Sequence, residues 1–139
     1  KQMLSDTSMA CTLCAIDTTH DVSIVADGDT FGLDLAQLSD RLPDDEPRFA
    51  FMHMGDKAQL LIHWCPDNAR VRLRMIYSSS VQLLTDTLRG KLGFRDLQLA
   101  QFSEREELEP QGFKEALDQK ISDLPPDMLQ ACEVLVKAA

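Results

Sequence analysis

Nothing in this sequence reaches the roughly 20 consecutive apolar residues that a helix needs to cross a bilayer. No apolar signal region follows the opening Lys1-Gln2-Met3-Leu4-Ser5-Asp6. Basic residues are scarce: 14 Lys and Arg stand against 23 Asp and Glu, a net charge of −9. That balance argues against a general nucleic-acid binder and against a binder of anionic membranes. The cysteines are few, at positions 11, 14, 65 and 132, and their irregular spacing implies free thiols in a reducing cytoplasm. Cys11-Thr12-Leu13-Cys14 has the spacing of a redox or zinc pair. Residues 9–16 read as a strand, however, in which positions three apart face opposite ways. No second such pair and no His pair completes four ligands. Also missing are a Gly-rich phosphate loop, a Ser-His-Asp arrangement and a metal cluster, while His20, His53 and His63 stand near no nucleophile. The sequence therefore predicts no catalytic residue, no metal, no cofactor and no enzyme.

What is present is one domain's worth of chain, with 139 residues of which 44% are hydrophobic, enough to bury a core unaided. It does not begin with Met, which leaves open that it is a fragment of a longer protein. The charge is unevenly spread. Between Arg70 and Arg95 lie six basic residues (Arg70, Arg72, Arg74, Arg89, Lys91, Arg95) and one acid, Asp86. The rest of the chain is strongly acidic, so this stretch is a basic island.

Patterning places the elements. Residues 11–17 and 21–26 are short β-branched runs joined by Thr18-Thr19-His20, a hairpin pattern, and Asp27-Gly28-Asp29 closes the second as a turn. Residues 33–42 have near-helical apolar spacing and stop at Pro43. Residues 48–54 and 59–64 are the strongest strand candidates, an antiparallel pair across Gly55-Asp56-Lys57. Residues 71–77 alternate apolar side chains with Arg72 and Arg74, as a half-exposed strand does. Ser78-Ser79-Ser80 then offers N-cap hydroxyls for a helix over about 79–91, ended by Gly93. A strand over 97–102, a helix over 109–121 and a last helix over 127–139 beyond Pro125-Pro126 complete the chain. The expected fold is α/β of the α+β type, with a single mixed, largely antiparallel central sheet flanked by helices. Residues 1–121 are expected to form the domain and 122–139 a helical extension.

Ile62-His63-Trp64-Cys65-Pro66-Asp67, Ala69, and Arg72-Leu73-Arg74-Met75-Ile76-Tyr77-Ser78-Ser79-Ser80 resemble the centre of the ADF/cofilin homology domain. That family has a strand ending in Trp-x-Pro-acidic, a short loop, a basic-x-basic-Met-aliphatic-Tyr strand and a small-residue start to a long helix. Leu42-Pro43, Pro47-Arg48-Phe49 and the acidic Glu104-Arg105-Glu106-Glu107 before Phe113 extend the resemblance over residues 1–121. Gly93-Phe94-Arg95-Asp96 and Gly112-Phe113-Lys114 are similar to the first domain of twinfilins. The resemblance implies the family's gelsolin-like architecture and an actin-binding, cytoskeletal role. Its long helix enters the cleft at the base of the actin monomer, implying a surface on Arg70, Arg72, Arg74, Met75, Ser79, Ser80, Val81, Leu84 and Arg89. Trp64 and Tyr77 are expected to be core anchors, with the Tyr77 hydroxyl hydrogen-bonded.

The departures narrow this. Val81, Thr85, Asp86 and Thr87 stand where the family's helix is lysine-rich, which weakens the case for phosphoinositide binding and for strong attachment to filament sides. The tight Gly55-Asp56-Lys57 turn replaces a longer basic loop, and Ser5 and Ser8 do not convincingly replace the family's regulatory amino-terminal Ser. The implied partner is thus actin, monomeric in preference to filamentous, bound by a monomeric chain that sequesters monomers or promotes filament disassembly. The alternative is a scaffold of the same fold that binds the actin-branching complex, as glia maturation factor does.

Overall fold

The computed structural model describes residues 10–19, 23–32, 35–54, 58–121 and 125–138. Its elements are β1 (Ala10–Asp17), β2 (Ser23–Ala26), β3 (Phe31–Gly32), α1 (Leu35–Arg41), β4 (Arg48–His53) and β5 (Gln59–Trp64). They continue with α2 (Val71–Asp86), a π-helical turn (Thr87–Lys91), β6 (Gln98–Phe102), a 3-10 turn (Arg105–Leu108), α3 (Pro110–Lys120) and α4 (Pro126–Ala138). Ser5, Ser8, His20 and the Gly55-Asp56-Lys57 turn lie outside the described residues.

The strands form one sheet in the order β2-β1-β4-β5-β6, with β3 also pairing to β1. All pairings are antiparallel except β5 with β6. That pair is parallel because α2 lies between its strands and returns the chain to the same end of the sheet. The sheet is mixed and largely antiparallel, as expected. Helices cover both faces, which explains β5: all six of its residues are buried, as in a strand with no solvent side.

Each face has its own core. On one, Cys11, Met52, Ile62, Trp64 and Phe102 meet α1, α3 and α4 through Leu38, Phe113 and Met128. On the other, Ile16, Phe49, Leu61 and Leu97 meet α2 and the π-helical turn after it through Tyr77 and Leu88. Cys11 belongs to the first and Cys14 packs on the second, the opposite-face placement that strand geometry predicts. Met128 and Cys132 of α4 are fully buried in the first core, and this helix packs against α3, with Lys114 donating to Glu133 across the pair at 3.0 Å.

Two expectations are overturned. Residues 71–77 are not a strand, and Ser78-Ser79-Ser80 does not cap a helix: both lie within α2, which starts eight residues earlier than the expected Ser79. Alternation over 71–75 is too short a window to exclude a helix. Leu73, Ile76, Tyr77, Val81, Leu84 and Leu88 recur at three- and four-residue steps, and tertiary packing selects that period. The two-residue strand β3 was not anticipated either. The anchors are where they were expected. Trp64 is 1% exposed and donates from Nε1 to the Pro43 carbonyl at 2.7 Å. Tyr77 accepts the Ile16 backbone N–H at 2.8 Å, pinning the middle of α2 to β1.

Candidate functional site

Helix α2 packs one side on the sheet and leaves the other bare. Val71 and Met75 are 61% and 64% exposed, one turn apart, and with Arg72, Ile76, Ser79 and Ser80 they line a shallow depression. Leu83, 67% exposed, continues the bare side two turns further along. Unbranched and branched apolar side chains left this open on a helix that has a core-facing stripe of its own are interface material.

The start of α2 is electrostatically inverted. No acidic residue lies in its first turn, and the N-cap position, Arg70, makes no side-chain capping bond. The first backbone N–H groups and the positive end of the helix dipole thus face Arg70 and Arg72, an arrangement that costs stability in the free protein. The same arrangement matches a carboxylate-bearing partner. At the other end, Arg89 and Lys91 sit in the last turn, where cations complement the dipole. Arg89 donates from Nη2 to the Leu97 carbonyl at 2.8 Å, which ties the π-turn to the start of β6.

Helical geometry therefore regroups the residues singled out by sequence. On a strand Arg72 and Arg74 share a face; on a helix they stand about 200° apart. Arg72 is exposed, while Arg74 is half-buried and its Nε is buried without a hydrogen-bond partner. Arg74 lies near Cys65, whose thiol is pushed up by burial, with the guanidinium opposing that rise. Arg70, Arg72, Met75 and Ser79 gather at one end of the bare side. Arg89 is about 25 Å from Arg72 along the axis, at 1.5 Å per residue. Ser80 is half-buried and returns its hydroxyl to the Ile76 carbonyl at 2.9 Å. Val81 and Leu84 pack against the second core. The sequence did not single out the exposed Val71 and Leu83 as candidates; counting Val71 with Met75 at helical spacing is the signal that would have found Val71.

Burial pushes Cys11 up to about 12 and Cys132 to about 11, so neither forms a thiolate at neutral pH. Among the described residues no group of His, Cys, Asp and Glu is arranged to hold a metal ion. Nor is any helix there long and apolar enough to cross a membrane.

The model of the family described as cofilin/tropomyosin-type actin-binding protein matches residues 1–118. The chain belongs to this family. Its members are actin-binding proteins, not enzymes. By sequence the chain is 47% identical over 49 residues to actin depolymerizing factor ADF of Toxoplasma gondii, a match covering 35% of this chain. The chain spans less than half the length of the curated relatives it matches, 41% and 36%. Among solved structures, the cofilin of Streptomyces griseoflavus superposes with TM-score 0.67 at 17% identity, covering 86% of this chain and 90% of that one. The Eh twinfilin superposes with TM-score 0.59 at 22% identity, covering 76% and 81%. At such identities the likeness is one of fold, shared by the cofilin and twinfilin branches alike.

Proposed function

We propose that this chain binds actin through the outward side of α2, with Arg70, Arg72, Val71, Met75 and Ser79 as the contact and Leu83 at its margin. The observation that carries the proposal is the bare, positively charged and uncapped start of α2 on a chain of net charge −9. Family membership supplies the partner. Met75 and Val71 provide the apolar centre of the contact, and the two arginines its steering rim. Arg74 supports the helix start from behind, and Arg89 fixes its far end. Ser80, Val81 and Leu84 hold the helix at its working height on the sheet.

Monomeric actin is the preferred form, with sequestration or disassembly as the outcome. The exposed Asp86 and the half-buried Thr87 stand at the end of α2 and in the turn after it, where lysines would extend the surface along a filament, and the lack of lysines there leaves little to attract a phosphoinositide headgroup. The test is a titration of fluorescently labelled monomeric actin, paired with pelleting of filaments. Wild-type protein binds the monomer saturably and leaves filaments sparsely decorated; Met75→Asp weakens monomer binding about tenfold or more. Saturable binding that Met75→Asp leaves unchanged would refute this surface. Absence of actin binding would shift the reading to a scaffold for another partner.

A further inference from the structure

We infer that Glu46 lowers the affinity of the docking face: its carboxylate, held beside the start of α2 from within the chain, offsets the positive charge that a partner's carboxylates would meet. This rests on the reading of α2 as the actin-binding face, and it names a residue of another part of the chain that tunes that face.

A depression of about 370 Å³ opens beside the first turns of α2, between the end of β1 and the start of β4. Arg48, Arg70 and Arg72 bring three guanidiniums to its wall, and Glu46 brings the one carboxylate. Arg72 and Ile76 line both this depression and the shallow one at Val71 and Met75, so the two adjoin along the helix. Whatever docks on Met75 therefore meets the field of the Glu46 carboxylate. Among the described residues, the side chains of Arg70 and Arg72 make no ion pair or hydrogen bond. Their charge is left for a partner, less what Glu46 cancels.

The fold has little need of Glu46. Arg48 donates from Nε to Asp27 at 2.9 Å, and from Nη1 to the Pro47 carbonyl at 2.8 Å and to Glu46 at 2.9 Å. With Glu46 gone, Asp27 and the Pro47 carbonyl would still hold Arg48. The Glu46 side chain is 48% exposed, and ion pairs in such wet surroundings contribute little to stability. The acids that precede it do not line the depression, and Asp44 is engaged elsewhere, by Arg105 at 2.6 Å. What remains for Glu46 is its effect on an arriving anion. One unit charge about 10 Å from a partner's carboxylate changes affinity about twofold through water, and about tenfold or more where the contact excludes water. Such an effect appears chiefly in the association rate and fades as salt shortens the Debye length.

The test titrates fluorescently labelled monomeric actin with the full 139-residue chain at low and high salt, and follows association by stopped flow. Glu46→Gln should melt like wild type and bind at least about twofold tighter at low salt, with faster association, and the gain should vanish at high salt. Glu46→Asp, which keeps the charge, should bind like wild type. Glu115→Gln makes the same change of net charge at an exposed position of α3, the helix on the opposite face of the sheet, and should also bind like wild type. A Glu46→Gln protein that binds no tighter than wild type, or a Glu115→Gln protein that gains as much, overturns the role of Glu46. The actin reading survives either result provided Met75→Asp weakens binding. If wild type shows no saturable binding, or Met75→Asp leaves it unchanged, the reading of α2 falls and the role of Glu46 falls with it.

Discussion

Replacing Tyr77 by Phe tests how the working helix is held. The ring would stay in the second core, against Phe49 with centroids 5.2 Å apart, and only the hydroxyl would go. That hydroxyl is the acceptor for the Ile16 backbone N–H at 2.8 Å. Tyr77 is 2% exposed and Ile16 8%, so water cannot readily replace the lost partner. An orphaned buried donor costs about 1–3 kcal/mol. For a chain of this length that corresponds to a melting-temperature drop on the order of 3–10 °C. Circular dichroism melting and urea unfolding measure the loss, and hydrogen exchange localises it. The Ile16 amide should exchange markedly faster in Tyr77→Phe than in wild type, with the distant β5–β6 amides changed only by the global loss. Tyr77→Ala, which also removes the ring, should cost about 3–5 kcal/mol. A Tyr77→Phe protein with wild-type melting and an unchanged Ile16 amide would refute the account of the clamp.

His63 and Gly112 give two further predictions. Burial holds the His63 imidazole below its ordinary value, so the unfolded chain takes up a proton before the folded one does. Its contribution to stability is therefore constant above about pH 6.5 and falls below it, at a slope of at most about 1.4 kcal/mol per pH unit, until the lowered folded value is reached. In His63→Phe, beside Phe49, this contribution to the slope should vanish from urea titrations run just below about pH 6.5; an unchanged slope contradicts it. A Cβ at Gly112 would clash with the Glu106 carbonyl oxygen. Gly112→Ala should thus push α3 from the 3-10 turn and cost about 1–3 kcal/mol from overpacking, partly offset by about 1 kcal/mol of helix propensity. Melting should register the net loss, and a more stable variant would show that the approach relaxes freely.

Much of the architecture was legible because burial imposes a period. β1, β4 and β5 carry side chains suited to two covered faces, and Gly93, at φ 81°, marks the end of the long helix because a left-handed residue cannot continue it. Trp64 was legible as an anchor because a lone indole needs both a packed site and an acceptor, which the Pro43 carbonyl provides. The segment 71–80 was not legible. Over Val71-Arg72-Leu73-Arg74-Met75 apolar and basic residues alternate as on a strand, and only Ile76-Tyr77 breaks that period. Ser78-Ser79-Ser80 resembles a cap, yet Ser80 returns its hydroxyl to a carbonyl within the helix. That single misreading paired Arg72 with Arg74, whereas the fold turns one outward and the other inward.

The central claim is that the outward start of α2 is the docking face, and the two arginines separate it from its rivals. Binding of monomeric actin should be measured for Arg72→Glu and Arg74→Glu, each beside its own melting curve and at low and moderate salt. Arg72→Glu should fold like wild type and bind at least about tenfold more weakly, with a shallower salt dependence. Arg74→Glu should mainly lower the melting temperature, because its half-buried side chain supports the helix start from the inside. Wild-type affinity in Arg72→Glu, or a loss of binding confined to a fully stable Arg74→Glu, would place the docking face elsewhere.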